Sequence, residues 1–139
     1  MVEEKLVRTK LKELRSYLNQ LDKYQEITVE ELENNLEQRW VIERGLQLSI
    51  QLVLDIGNHI LSEEGITVNN YTGILKELGE LEVIPPEFAK KIKGMAGFRN
   101  VLVHDYMEVD LELLVRVINN SLKDFKKFAQ YILDYLNNN

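Results

Sequence analysis

The residues best suited to chemistry lie in one short stretch, between positions 99 and 106. Arg99, Asn100, His104 and Tyr106 alternate there with apolar residues. An arginine offers a planar fork to phosphate oxygens, and a histidine can give or take a proton near neutral pH. On a regular helix Asn100 and His104 share a face, whereas Arg99 lies about 140° around from His104. Arg99 and His104 converge better if the helix ends or bends before His104, and such a pair suits phosphate chemistry.

A second candidate pair is Asp55 and His59, four positions apart on a predicted helix. A carboxylate at this spacing could orient an imidazole, although a structural pair or two unrelated polar groups fit the spacing as well. The chain has no cysteine and only two histidines, which excludes disulfides, thiolate metal sites and a cysteine nucleophile. A glycine-rich phosphate loop and a paired-histidine metal motif are also absent from the sequence. We therefore predict no metal site and no cofactor.

The charge of the chain is unevenly distributed. The formal net charge is −6. A protein that binds nucleic acid over its whole surface needs a positive charge to neutralise the phosphates, so this sign argues against such binding. Residues 85–104 are the exception, with Lys90, Lys91, Lys93 and Arg99 against Glu87. The basic stretch thus surrounds the candidate motif, although lysines in such runs often only solvate a helix face.

Apolar residues recur at helical spacing in the first half of the chain. One seam predicts a helix over residues 3–24. Thr28 and Glu31 form a capping-box pattern that begins a second helix, which can run without a proline to about Leu61. Its centre is apolar on two faces, which predicts either the central helix of a bundle or contact with another subunit. We expect any kink near Gly45.

The second half of the chain predicts three further helices. Residues 71–78 form a short helix, Pro85-Pro86 opens a helix that leads into the motif, and Asp110 caps a last helix that continues to residue 136. Residues 137–139 are expected to fray. The sum, over residues 1–139, is one all-α domain, an up-down four-helix bundle with one extra short helix.

Length and hydropathy indicate the size of the core and the cellular location of this domain. The chain has 139 residues, 45% of them hydrophobic, which suffices for one buried core. No run approaches the ~20 apolar residues of a membrane span, and the first residues lack a secretory pattern. We expect a cytoplasmic protein.

The motif resembles the signature of a known family. Arg99-x4-His104-x-Tyr106 is similar to the R-x4-H-x-Y signature of HEPN-domain proteins, specifically the HepT-like toxins of HepT/MntA toxin–antitoxin pairs. The resemblance spans about residues 3–135. Further matching segments are Leu46-Gln47-Leu48, Asp55-Ile56-Gly57-Asn58-His59, Asn70-Tyr71 and Met95-Ala96-Gly97-Phe98.

The resemblance implies a metal-independent endoribonuclease that acts on RNA and not on DNA. Arg99 would bind the scissile phosphate, His104 would be the acid–base group, and Asn100 would occupy the polar position after the arginine. Family members dimerise so that two motifs face one cleft. An MntA-like nucleotidyltransferase partner would silence the enzyme by transferring AMP to Tyr106. The lysines at positions 90, 91 and 93 could guide RNA towards the motif.

The sequence is also compatible with a function other than RNA cleavage. The same bundle could be a non-catalytic partner that binds a nucleotide or docks beside a nucleotidyltransferase as its substrate-binding subunit. The acidic net charge tilts slightly towards this alternative. The combination of arginine, asparagine, histidine and tyrosine in one motif favours the ribonuclease.

Overall fold

A computed structural model describes residues 2–95, 98 and 110–138, with side chains from residue 4 onward. All regular structure in these residues is helical, which confirms the predicted all-α class. The helices are α1 (Val2–Leu21), α2 (Val29–Asn34), α3 (Leu36–Glu63), α4 (Tyr71–Glu80), α5 (Pro86–Ile92), α6 (Leu111–Asn120) and α7 (Leu122–Asn137), with a 3-10 turn at Asp22–Tyr24.

The long helix α3 is the centre of the bundle. It packs against α1, α2, α4 and α7, while α1 also contacts α7 and α4 pairs with α5. The predicted α1 seam is buried throughout, from Val7 at 2% exposure to Leu21 at 2%. These contacts bury one apolar core along α3 from Ile42 to Leu61.

The predicted capping box at Thr28 is present. The Thr28 hydroxyl accepts the Glu31 backbone N–H at 3.2 Å, and the Glu31 carboxylate accepts the Thr28 backbone N–H at 3.3 Å. The prediction of one helix from there to Leu61 was wrong, because the helix is interrupted at Asn35, between α2 and α3. Asn35 takes an extended conformation, and its side chain accepts the Gln38 N–H at 3.0 Å, so it starts a second helix as an N-cap.

Gly45 lies within the continuous α3 rather than at a break. A Cβ at this position would stand 2.8 Å from the Leu21 Cδ2 atom. The glycine therefore allows α1 and α3 to approach closely, and a kink is not its role here.

Both predicted apolar faces of α3 exist, but they end differently. In the C-terminal half residues of both faces are buried, Val53 and Ile60 on one and Leu52 and Ile56 on the other, so this half of the helix is surrounded by the bundle. At the N-terminal end of α3 apolar side chains are open to solvent, and Leu36, Trp40 and Val41 are 51%, 59% and 51% exposed. The central-helix interpretation is thus correct for the C-terminal half of α3.

The ends of the later helices are set by local chemistry. Asn70 caps α4 by accepting the Gly73 N–H at 2.7 Å, and Pro86 is the first residue of α5, as predicted. The helix expected to run from there into the motif is interrupted: α5 ends at Ile92 before a turn at Lys93, and Gly94, Met95 and Phe98 are helical again.

The last predicted helix is divided in two. Asp110 caps α6, as expected, but Ser121 has φ −105° and ψ −13° and separates α6 from α7. The buried seam still continues across this break, from Ile118 to Leu122. Asn137, expected to fray, is the last helical residue, and its side-chain oxygen accepts a hydrogen bond from Arg8 at 2.8 Å.

Candidate functional site

The four motif residues, Arg99, Asn100, His104 and Tyr106, lie outside the described residues. Their predicted roles therefore stay predictions. The described residues on either side of the motif show what adjoins it in the chain.

The two flanks of the motif meet at one cavity. Met95 and Phe98 come before the motif, Leu113 and Val117 come after it, and all four line a cavity of about 210 Å³ together with Phe125 of α7. Met95 and Phe98 are 9% and 8% exposed, so the chain enters the motif from a buried position. The chain therefore leaves one wall of this cavity before residue 99 and returns to another wall after residue 109.

The return to the bundle is fixed by a helix cap. The Asp110 carboxylate accepts the backbone N–H groups of Glu112 at 3.0 Å and Leu113 at 3.3 Å. These N–H groups have no partner within the helix, and the negative charge also favours the helix N-terminus. Asp110 therefore defines where the motif segment ends and where α6 begins.

An ion pair joins α5 to α7 at the edge of the cavity. Lys91 Nζ lies 3.1 Å from Asp124 Oδ1, and the two side chains are 52% and 13% exposed. Asp124 Oδ1 is fully buried and accepts no hydrogen bond of good angle from the described residues, among which Lys91 supplies the compensating charge. Lys91 thus has a structural partner, and its predicted part in guiding RNA stays a prediction.

The other two predicted lysines point to a different place. Lys90 and Lys93 are exposed and line a cleft of about 470 Å³ between α4 and α5, together with Lys76 of α4. Sequence reasoning missed Lys76, because it lies in an acidic stretch, distant in the chain from Lys90. The packing of α4 on α5 brings the three together, and no local sequence signal shows it.

Asp55 is occupied by contacts within the bundle. Its Oδ1 accepts the Gln51 side-chain amide at 2.9 Å, and its Oδ2 lies 3.8 Å from Lys10 Nζ of α1. His59 lies one turn further along α3 and is partly buried. The contacts of Asp55 support the structural interpretation of this pair. The described part of the chain contains no cluster of three metal-ligating side chains.

The aromatic side chains of α7 pack against the bundle. The Tyr131 ring meets Phe88 edge to face, with ring centroids 5.0 Å apart. Burial raises the pKa of Tyr135 above its ordinary value, and Glu64 raises it further through its charge and as hydrogen-bond acceptor at 3.4 Å. Both tyrosines are partly buried and pack against the core of the bundle.

Comparison with known proteins identifies the family. Residues 14–132 match the family model described as ribonuclease HepT-like. The chain is 33% identical over 137 residues to the tRNA nuclease HepT of Aphanizomenon flos-aquae, which covers 97% of this chain and 92% of that protein. It is 31% identical over 88 residues to the mRNA nuclease HepT of Shewanella oneidensis, covering 63% of this chain and 66% of that protein.

A solved structure shows the same architecture. The tri-AMPylated HEPN toxin of Shewanella oneidensis, in complex with the MNT antitoxin, superposes with a TM-score of 0.81 at 22% identity, covering 92% of this chain and 96% of that chain. The fold is therefore that of the HEPN toxins. With the family match over most of its length, the chain belongs to the ribonuclease HepT-like family, which confirms the resemblance seen in the motif. Among the helices of the described residues, none is apolar over the length that a bilayer crossing requires.

Proposed function

We propose that this chain is a metal-independent endoribonuclease toxin that cleaves RNA at a site built from Arg99, Asn100 and His104. The observation that carries the proposal is the complete set of motif residues inside the family match at residues 14–132. The meeting of both motif flanks at one cavity supports it, because a reactive segment needs fixed ends.

The proposed reaction is a transesterification within the RNA. The 2′-oxygen loses its proton to a base and bonds to the adjacent phosphorus, and the bond from phosphorus to the 5′-oxygen breaks. An acid protonates the departing 5′-oxygen, leaving a 2′,3′-cyclic phosphate and a 5′-hydroxyl. His104 supplies proton transfer, and Arg99 stabilises the extra negative charge on the pentacovalent phosphate. The Asn100 amide is available to hydrogen-bond a phosphate oxygen beside Arg99.

The proposed active unit is a homodimer. The reaction needs a base and an acid in one turnover, and each chain supplies one motif histidine. Two copies facing one cleft would supply two histidines and two arginines. The exposed apolar residues Leu36, Trp40 and Val41 support a second copy as partner, since monomers seldom leave such side chains together in water.

We further propose that a nucleotidyltransferase antitoxin silences the enzyme by attaching AMP to Tyr106. The Shewanella toxin of the same fold is AMPylated and bound to an MNT antitoxin, which supports this partner class. An adenylate linked through a phosphodiester two positions from His104 would add bulk and negative charge. Both changes would repel RNA from the site.

A cleavage assay in the presence of EDTA tests the proposed site. Wild-type protein should cut RNA and leave 2′,3′-cyclic phosphate ends. His104→Ala and Arg99→Ala should each lose activity by roughly 10²-fold or more, the range for a general acid–base group or charge stabiliser. Circular dichroism should show that both variants are folded. Robust cleavage by both variants would overturn the site, and a wild type inert towards diverse RNAs would favour the non-catalytic partner.

A second assay tests the regulation. Tyr106→Phe should keep most ribonuclease activity and should take up no AMP when incubated with the antitoxin and ATP. Mass spectrometry of the wild type should place the AMP on Tyr106, and AMP mapped to another residue would refute the proposal.

A further inference from the structure

A cleft between α4 and α5 combines an apolar floor with basic side chains at its rim. Gly79, Pro86 and Ala89 lie along the floor, and the cleft has a volume of about 470 Å³. This volume lies within the range of pockets that hold nucleotide-sized ligands, roughly 300–1,000 Å³. A Cβ on Gly79 would stand 2.7 Å from the Ala89 Cβ atom, so the floor is a close and rigid helix contact.

Three lysines on this rim have no ionic partner within the described residues. Lys76, Lys90 and Lys93 all line the cleft and are exposed. In the same part of the structure no carboxylate lies within 4.0 Å of their Nζ atoms, whereas Lys91 is paired with Asp124. In a chain of net charge −6, these three lysines place a group of unpaired cations, able to contact phosphates, on one cleft.

Two glutamates that line the same cleft limit which ligands can bind there. Glu80 and Glu82 also line the cleft, which leaves it a formal charge of +1, from three lysines and two glutamates. A bare polyanion would gain little from such a rim. A single-stranded RNA presents phosphates to the lysines, and its hydroxyl and amino groups can donate hydrogen bonds to the carboxylates.

We propose that this cleft binds the single-stranded RNA substrate, with Lys76, Lys90 and Lys93 contacting its phosphates. The inference rests on the proposed ribonuclease function. Lys93 precedes Arg99 by six positions, so the chain itself keeps the two Cα atoms within roughly 22 Å of each other. Lys91 is not part of this binding surface.

Binding measurements separate this inference from the catalytic one. A fluorescent single-stranded RNA would be titrated with His104→Ala protein, which leaves the RNA intact, over a series of salt concentrations. The cleft variant carries Lys76→Ala, Lys90→Ala and Lys93→Ala in addition. The matched control carries Lys12→Ala, Lys123→Ala and Lys127→Ala, which remove the same charge at exposed positions outside the cleft.

The cleft variant should bind RNA at least tenfold more weakly than the control. Its slope of log affinity against log salt should fall by about 2, since each lost phosphate contact to a single strand removes about 0.7. With His104 present, the cleft variant should show a higher KM and an unchanged kcat, because the lysines bind substrate and do not touch the reacting atoms.

Three results would overturn the inference, each in a different way. If wild type cleaves RNA and the cleft variant matches the control in affinity and slope, the cleft assignment fails and the ribonuclease stands. If wild type neither binds nor cleaves RNA, the proposed function fails first. If the cleft variant binds RNA normally but loses the antitoxin, the cleft is a protein-docking surface.

Discussion

Asp124 carries a charged carboxylate with one buried oxygen atom. Its Oδ1 is buried, and Lys91 Nζ at 3.1 Å provides the compensating charge. Removal of the lysine leaves that charge uncompensated in a poorly solvated place, which costs more than the weak attraction of an exposed ion pair. The half-exposed lysine reduces the effect through solvent screening.

We expect Lys91→Ala to lower the free energy of unfolding by about 1–3 kcal/mol. The double variant Lys91→Ala/Asp124→Asn should recover part of this loss, because it also removes the buried charge. Urea unfolding of both variants, with Lys127→Ala as an exposed control, measures the difference. A Lys91→Ala variant as stable as Lys127→Ala would contradict the structural role of the pair.

Tyr135 makes stability depend on pH in the alkaline range. Its pKa in the folded protein lies above the ordinary value of 10.0, chiefly through burial and then through Glu64. Above about pH 10 the unfolded chain releases this proton while the folded chain still holds it, so folding loses stability as pH rises. Below that pH the contribution is fully present.

Tyr135→Phe has no proton to release, so it should lack this part of the alkaline loss. Urea unfolding of wild type and variant at pH 8, 10 and 11 should show the stability advantage of wild type shrinking with pH. Parallel pH profiles for the two proteins would contradict a raised tyrosine pKa.

At the scale of elements, the N-cap of α6 holds the helix that follows the motif. Asp110→Ala should lower the free energy of unfolding by about 1 kcal/mol, because two backbone N–H groups lose their acceptor. Asp110→Asn keeps an acceptor at the same place and should stay near wild type. Equal losses in both variants, measured by thermal or urea unfolding, would show that the cap does not hold α6.

The contact between α3 and α4 depends on the absence of a side chain at Gly57. A Cβ there would lie 2.6 Å from Ile74 Cγ2 and 3.0 Å from Leu78 Cδ1. Gly57→Ala should therefore cost about 1–3 kcal/mol of stability through overpacking. The adjacent exposed residue provides the control, since Asn58→Ala should change stability by no more than about 0.5 kcal/mol. An unchanged unfolding midpoint in Gly57→Ala would show that the two helices are not in close contact.

At the scale of the whole molecule, the exposed apolar residues at the N-terminal end of α3 form the surface that we propose a second copy covers. Trp40→Glu places a charge in that interface and should shift sedimentation from dimer to monomer, with loss of RNA cleavage at the same protein concentration. Leu6→Glu changes another exposed apolar residue, 40% exposed on α1, and should leave both unchanged. A Trp40→Glu variant that stays dimeric would place the interface elsewhere.

The sequence by itself determined the helical class, the caps and the residue types of the motif. Helical periodicity, the Thr28 capping box, the Asp110 cap and Pro86 at a helix start are all local features, encoded within one or two turns. The break at Asn35 was also encoded locally, since asparagine is a favoured N-cap, but the absence of a proline from residue 29 to residue 61 concealed it.

Tertiary structure decided which side chains share a site. Lys90, Lys91 and Lys93 look equivalent in the sequence, yet Lys91 pairs with Asp124 of α7, and the other two join Lys76 of α4 across a cleft. Helical periodicity reports on neighbours three and four positions apart, whereas these partners lie 14 or more positions away. Their proximity follows from how α4 and α7 pack against α5, and from that packing alone.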